Sequence, residues 1–484
     1  MNTKESITFT KGLNLIDSTF IVIGSMIGSG IFIVSSDMSR ILGSPGWLLI
    51  AWIITGILTI SAALSYGELA AMMPNAGGQY IYLRESYNPL CGFLYGWTLF
   101  LVIQTGTIAA VGVAFAKFTG VIIPFFSENN IWLNLGFIKF NTVQLLAILS
   151  IIILTYINIQ GLKAGKTVQN IFTSTKVLAL FGLIIIGLFF AKDTFAWEIN
   201  KSIFWDADLT QNSTLSSISG FAIIIALGTA MVGSLFSSDA WNNITFTAGE
   251  VINPKRNIPL SLFIGTLVVT IIYLLANIVY IKVLPLRGTP EGTDVLQRGI
   301  QYATNDRVAT AAMSVIFGEA AAIIMAIFIM ISTFGCNNGL ILAGARVYYA
   351  MANDKLFFKK VGQLNKKGVP SLGLIIQGIW ASLLCLSGTY SNLLDYVIFS
   401  VLIFYVMTIA GIFILRKKKP DAERPYKAFG YPIIPIFYIL IASLIMLILL
   451  LYKPNYTWPG LIIVLLGIPV YYIWEKMKKK ENNL

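Results

Sequence analysis

An apolar stretch long enough to cross a bilayer as one helix is interrupted near its middle by Gly24-Ser25-Met26-Ile27-Gly28-Ser29-Gly30-Ile31-Phe32. Glycines and serines at that depth constrain this chain more than any other feature. In hydrocarbon every backbone N–H and C=O must be satisfied within the protein, so unwound backbone is tolerated only where it lines a cavity or meets a ligand. The start of the second half-helix exposes N–H groups that suit a carboxylate, and the end of the first exposes carbonyls that suit an ammonium or a cation. One broken helix can therefore hold both ends of a zwitterion. The same residues also fit a helix-packing face of the small-xxx-small kind, with Gly24 and Gly28 on it.

Composition fixes the class. Of 484 residues, 56% are hydrophobic and 12% charged, against about 25% charged in soluble domains, and the mean hydropathy is +0.78. Apolar runs of about 20 residues predict twelve spans, at 14–42, 46–72, 90–123, 142–160, 170–190, 217–249, 258–284, 309–350, 371–388, 391–415, 431–452 and 456–474. These make it an all-α polytopic membrane protein. The polar start Met1–Lys11 runs straight into a segment too long for a cleavable leader.

The net charge of +12 comes from loops rather than from a nucleic-acid-binding face. Lysines and arginines gather in alternate loops: Lys163 and Lys166; Lys255 and Arg256; Lys355 to Lys367; Arg416 to Lys419; and Lys476 to Lys480. The positive-inside rule places these loops and both termini in the cytoplasm, where they face anionic lipid headgroups. Cys91, Cys336 and Cys385 fall in or beside spans, so no structural disulfide is expected.

A second break lies at Gly233-Ser234-Leu235-Phe236-Ser237-Ser238-Asp239-Ala240-Trp241-Asn242-Asn243, in the sixth span. Spans one and six each open a set of five, in opposite orientation, and each is interrupted at its centre. That is the signature of an inverted repeat with its substrate site between two discontinuous helices. The expected organisation is a first repeat at 1–190, an inverted second repeat at 191–415, and spans eleven and twelve with a cytoplasmic tail at 416–484.

The chain resembles the amino acid–polyamine–organocation superfamily, and within it the L-type amino acid transporters. The residues that carry this resemblance are Gly24 to Phe32; Gly43-Ser44-Pro45-Gly46; Tyr66-Gly67-Glu68-Leu69 with Pro74-Asn75-Ala76-Gly77-Gly78-Gln79-Tyr80; Phe236 to Asn242 with Asn253-Pro254-Lys255-Arg256-Asn257-Ile258-Pro259; and Leu415 to Pro420 with Glu423-Arg424-Pro425. The resemblance implies a twelve-span 5+5 inverted-repeat fold that moves amino acids by alternating access. It implies that the substrate carboxylate meets backbone N–H groups at Gly28, Ser29 and Gly30, helped by the Ser25 or Ser29 hydroxyl. The α-ammonium would meet carbonyls near Met26 and Ile27 and those of Phe236 and Asp239, and Phe236 would close over the substrate as a gate.

Lys176 opens the predicted fifth span and matches the family's lysine at this place. Its ammonium would stand in for the cation that bridges spans one and eight in sodium-driven relatives, bonding backbone near Ser25–Ile27 and Thr333 or Asn337. The plain alternative is a lysine snorkelling to the interface. Asp239 stands where several neutral-substrate members have glycine. It could read a cationic side chain, bind the α-ammonium, relay a proton, or cap the second half of span six. Thr107, in the patch Gln104 to Thr107, together with Ser238 and Cys336, completes the expected binding set. Phe399, Leu402 and Tyr405 read as a packing stripe, Glu68 as a structural ion-pair partner, and Lys117 as unrelated to transport.

No enzyme chemistry is expected. There is no histidine, no Walker-type phosphate loop and no metal-spaced cysteine pair, so neither a cofactor nor a metal is predicted. The functions that remain are sodium-independent exchange of neutral amino acids, proton-coupled symport with cationic substrates as an option, or an amino acid sensor on the same scaffold. Eukaryotic relatives are tied to a glycoprotein by a cysteine between spans three and four. Here that loop reads Ser127-Glu128-Asn129-Asn130-Ile131-Trp132, so no disulfide-linked partner is expected, and a bacterial inner membrane is the expected location.

Overall fold

The structure, a computed structural model, describes residues 11–134, 139–189, 195–208, 221–386 and 390–482. The expected boundary between repeats, at 190 and 191, lies outside them. Ten helical stretches among the described residues are long and apolar enough to cross a membrane, and Ala222–Ser237, Val308–Phe317 and Ser371–Cys385 are apolar but shorter.

Helix α1 (Leu15–Met26) starts on a capping box in which the Asn14 side chain accepts from Asp17 N–H at 2.9 Å and the Asp17 carboxylate from Asn14 N–H at 3.1 Å. It ends at Met26, and α2 (Gly30–Leu42) begins at Gly30. The unwound stretch is therefore shorter than the glycine- and serine-rich motif: Gly24 to Met26 finish α1, and Gly30 to Phe32 open α2. Gly43 stops α2 in the left-handed region at φ +58°, and Pro45 occupies the first turn of α3 (Pro45–Met72). Gly77 and Gly78, at φ +108° and +43°, then turn the chain back into the short α4 (Gln79–Ser86).

Helix α5 (Pro89–Ile122) carries a π-helical turn at Leu99–Ile103. The extra residue in that turn rotates the face presented by the rest of the helix, beginning with Gln104 to Thr107. Thr105 Oγ1 donates to Phe100 O, five residues back, at 2.6 Å. After α6 (Thr142–Ile159) and α7 (Leu162–Phe189), the sixth span splits into α8 (Ala222–Ser237) and a single turn, α9 (Asn243–Phe246). Then come α10 (Pro254–Val283), α11 (Val308–Phe317), α12 (Glu319–Asn353), α13 (Ser371–Cys385), α14 (Tyr390–Lys418), α15 (Ile433–Tyr452) and α16 (Pro454–Asn482).

Two expectations need correction, and one short hairpin is added to the helices. Ile131–Asn134 pairs antiparallel with Lys139–Asn141 between α5 and α6, because Ile131-Trp132-Leu133 favours extended backbone once outside the bilayer. The expected single span 309–350 is two helices, since Gly318, at φ +81°, ends α11 and redirects the chain into α12. The fifth span starts earlier than 170, so Lys176 lies well inside α7.

The faces of the bundle are closed by polar contacts. On the N-terminal face, Gly12 and Leu13 N–H both donate to Glu250 O, at 2.9 and 3.0 Å, and Ile252 N–H donates to Leu13 O at 2.8 Å. The Glu250 carboxylate accepts from Arg346 of α12 at 3.0 Å, and both side chains are 2% exposed. Nearby, Glu68 accepts from Arg416 at 2.6 Å and from Ala428 N–H at 2.7 Å, the structural role expected of it. On the opposite face, Arg40 of α2 donates to Asp306 at 2.7 Å and to Gln301 O at 2.6 Å. Lys117 pairs with Glu128 at 3.0 Å on that same side.

Candidate functional site

The two helix breaks touch. A methyl group placed on Gly30 would stand 2.1 Å from Ser237 Oγ and 2.9 Å from Ser237 Cα, so the start of α2 and the end of α8 meet backbone to backbone. Gly28 is nearly as tight, with Cys336 Sγ 2.9 Å from the same position. The N–H groups of Gly28, Gly30 and Ile31 find no acceptor among the described residues. They form the N-terminal end of α2, where a carboxylate is favoured. The Ser25 hydroxyl, buried beside them, also has no partner among the described residues.

Lys176 crosses from α7 into the first break. Its ammonium donates to Gly24 O at 2.6 Å and to Ile27 O at 2.7 Å, with Ser332 O of α12 at 3.5 Å. The side chain is fully buried, so it does not snorkel. The bridge to α12 uses the Ser332 carbonyl rather than Thr333 or Asn337. Thr333 Oγ1 turns back to Ile329 O at 2.9 Å, and neither polar atom of Asn337 has a partner among the described residues.

Several carbonyls expected to meet the α-ammonium already hold a donor. Ile27 O takes Lys176, Ser25 O takes the Cys336 thiol at 3.1 Å, and Phe236 O takes Asp239 N–H at 3.2 Å. Ile27 O also takes the Ser332 hydroxyl at 3.4 Å, and Phe236 O also takes the Ser238 N–H. The Tyr273 hydroxyl of α10 lies 2.9 Å from Met26 O and 3.0 Å from Ser237 O, joining the ends of α1 and α8. Sequence reasoning misses Tyr273, because nothing in its neighbourhood separates it from the other tyrosines of the chain.

Asp239 lies in the linker between α8 and α9. Its carboxylate accepts from the Tyr405 hydroxyl of α14 at 2.6 Å. The N-cap position of α9 is Asn242, without a side-chain capping bond, so the capping role considered for Asp239 is not the one its geometry shows. Two small cavities reach Asp239 and Tyr405. Gln79, Gln104, Thr107 and Asn242 line the first, while Leu58, Ser238, Trp241 and Tyr438 line the second. Phe236 is buried in the last turn of α8, and Thr107 Oγ1 donates to Ile103 O at 2.7 Å. Thus Thr107 and Ser238 each share a different cavity with Asp239, whereas Ser25 to Gly30 and Cys336 are packed together at the first break.

Gln79 is a second residue that sequence reasoning misses. It accepts from Asn242 at 2.9 Å and donates to Thr408 of α14 at 3.0 Å, tying the linker of the sixth span to the tenth. A signal for it exists in Pro74-Asn75-Ala76-Gly77-Gly78-Gln79-Tyr80, where two glycines at positive φ push a glutamine into the bundle.

A family profile described as amino acid permease matches residues 13–471. The large neutral amino acids transporter small subunit 2 of Mus musculus is 30% identical over 486 residues, covering 99% of this chain and 84% of that protein. The b(0,+)-type amino acid transporter 1 of Homo sapiens is 28% identical over 479 residues, 97% of this chain and 88% of that one. The serine/threonine exchanger SteT of Bacillus subtilis (strain 168) is 28% identical over 471 residues, 97% of this chain and 98% of that one. These relatives are transporters, not enzymes. With its membrane helices and a match running through nearly its whole length, this chain belongs to the amino acid permease family of the amino acid–polyamine–organocation superfamily.

Proposed function

We propose that this protein is a secondary transporter that exchanges neutral L-amino acids across the membrane by alternating access, without sodium. The observation that carries the reading is the Lys176 ammonium, bonded to Gly24 O and Ile27 O at the first break and near Ser332 O of α12. An organic cation tethered there leaves no need for a metal ion to join the first span to α12. The N–H groups of Gly28, Gly30 and Ile31 take the substrate carboxylate, and the carbonyls of Met26, Ile27, Phe236 and Asp239 take the ammonium, those of Ile27 and Phe236 by giving up donors they now hold. Phe236 closes over the bound molecule. The names of the relatives, a large neutral amino acids transporter subunit and a serine/threonine exchanger, support neutral substrates.

The accompanying architecture is twelve spans. Counting Ala222–Ser237 and Ser371–Cys385 as crossings beside the ten longer stretches supports that number. The repeats are 1–190 and 191–415, with both termini cytoplasmic in a bacterial inner membrane.

Uptake of labelled amino acid into proteoliposomes tests the reading. Exchange predicts uptake only when the lumen holds unlabelled amino acid, unchanged when potassium replaces sodium. Uptake into empty vesicles driven by a proton gradient would replace exchange with symport, and binding without flux would leave a sensor. One observation favours a second substrate class: Asp239 is a buried carboxylate whose side-chain partner is a neutral phenol, so a cationic substrate could pair with it.

A further inference from the structure

On the N-terminal side of the first break, one face of α7 is set between α1 and α12. Gln169, Thr173 and Lys176 lie on that face at spacings of four and three. Glycines on both neighbours let it approach. A methyl group on Gly24 of α1 would stand 2.0 Å from Gln169 Nε2 and 2.4 Å from Thr173 Oγ1, and one on Gly339 of α12 would stand 2.9 Å from Gln169 Oε1. The Gln169 amide therefore fills the seam between the two spans, and the residue is 2% exposed. The transport reading uses Lys176 and leaves Gln169 without a role.

The hydrogen bonds through Gln169 run in one direction. Asn158 of α6 commits its amide nitrogen to Leu154 O and to Asn338 Oδ1, each at 2.9 Å. Asn338 of α12 then turns its own nitrogen to Gln169 Oε1 at 3.4 Å. Gln169 Nε2 donates to Thr173 Oγ1 at 3.3 Å, and the Thr173 hydroxyl donates to Phe20 O of α1 at 3.4 Å. Four helices are joined by a chain in which each side chain accepts from one neighbour and donates to the next, so the Asn158 end fixes which way every later amide faces. All four side chains are buried, where such bonds polarise one another and an unmade one is costly. Phe20 lies one turn before Gly24, so the chain grips α1 below the point that Lys176 holds.

We propose that Gln169 is a positioning residue of the transport cycle: it passes the anchorage of α6 and α12 to the α1 half of the first span, and so sets how readily α1 leaves α12 to open the first break toward the N-terminal face. Its effect on flux rests on the transport reading; the hold on α1 does not.

Cys336 reports the movement. Its thiol is buried beneath the first break, donating to Ser25 O at 3.1 Å and lying 2.9 Å from a methyl position on Gly28. Cys385, fully buried on α13 against Ala109 O of α5, reports unfolding instead. Full-length protein in proteoliposomes is treated with a membrane-impermeant maleimide, and the labelling rate at each cysteine is read by peptide mass spectrometry. Gln169→Met keeps the bulk and removes the amide, Thr173→Val keeps the shape and removes the hydroxyl, and Thr173→Ser keeps the hydroxyl. The first two should speed labelling of Cys336 by about three- to tenfold, the scale of one buried hydrogen bond, with Cys385 unlabelled and Thr173→Ser close to wild type. Because the bonds lie in series, Gln169→Met/Thr173→Val should label no faster than the faster single variant. Wild-type rates in both single variants, multiplied rates in the double variant, or a matching rise at Cys385 would each overturn the proposal. Labelling needs no flux: shifted rates in a protein that moves no amino acid would keep the hold on α1 and remove the transport reading, whereas unchanged rates in an active exchanger would remove the role of Gln169 alone.

Discussion

Gly30→Ala puts a methyl group where the structure has no space. The new Cβ would lie 2.1 Å from Ser237 Oγ, 2.7 Å from Ser237 Cβ and 2.9 Å from Ser237 Cα. A rotamer change relieves the first contact and not the last, so α2 and α8 must separate. Overpacking of this kind costs about 1–3 kcal/mol. Because Gly30 sits in the first turn of α2 without a positive φ, alanine returns about 0.5–1 kcal/mol through helix propensity. If substrate is held in the conformation where the breaks touch, the net of about 0–2.5 kcal/mol falls on binding, and affinity drops by up to about 70-fold. Ser237→Gly removes the obstructing side chain, at the loss of a 2.9 Å hydrogen bond to Gly233 O. The assay is a double-mutant cycle on substrate dissociation constants. Gly30→Ala/Ser237→Gly should bind better than the two single effects predict, by about 0.5–2 kcal/mol of coupling, because the residue 237 Cα still stands 2.9 Å from the new Cβ. Additivity within about 0.5 kcal/mol would refute the contact as the cause.

Lys176→Ala strips the donor from two buried carbonyls, each bond to the ammonium being worth about 1.5–3 kcal/mol, and should alter the rate or sidedness of exchange. Lys176→Arg should rescue only in part, and wild-type kinetics from both sides in the alanine variant would remove the bridging role. Phe236→Ala should lower flux more than it lowers expression, with substrate leaking back during washing; unchanged retention would disprove the gate. If Asp239 pairs with a substrate cation, Asp239→Asn should cost lysine and arginine about 3–5 kcal/mol as competitors and leave alanine and leucine alone. Tyr405→Phe should then strengthen cationic competitors, because the carboxylate loses its neutral partner; identical competitor rankings in all three proteins would exclude substrate contact by Asp239.

The breaks are legible in the sequence because glycine and serine at mid-span have few explanations in lipid, and Lys176 because a charge inside a span has fewer still. Where long-range partners meet is not legible. Tyr405 reads as one rung of an ordinary packing stripe until α14 lays its hydroxyl against Asp239, 166 residues away in sequence. Arg346 and Glu250, 96 residues apart, carry no local pattern that joins them. Hydropathy starts the fifth span at residue 170 because its first turns are polar, yet the helix begins at Leu162, and those turns are what carry Lys176 to the depth of the break. The π turn before Gln104 is invisible to hydrophobic periodicity, since Leu99-Phe100-Leu101-Val102-Ile103 is apolar in any helical register.

Glu250 receives Gly12 and Leu13 through its carbonyl and Arg346 through its carboxylate, while Ile252, two residues on, returns a bond to Leu13. No one of these contacts can be released without disturbing the same short turn. The leading segment, the turn after the sixth span and the eighth span are thus held through one residue, so loss of the Glu250 carboxylate in Glu250→Gln is expected to loosen all three together. In the alternating-access cycle proposed above, such a latch would make the passage between closed and open abrupt.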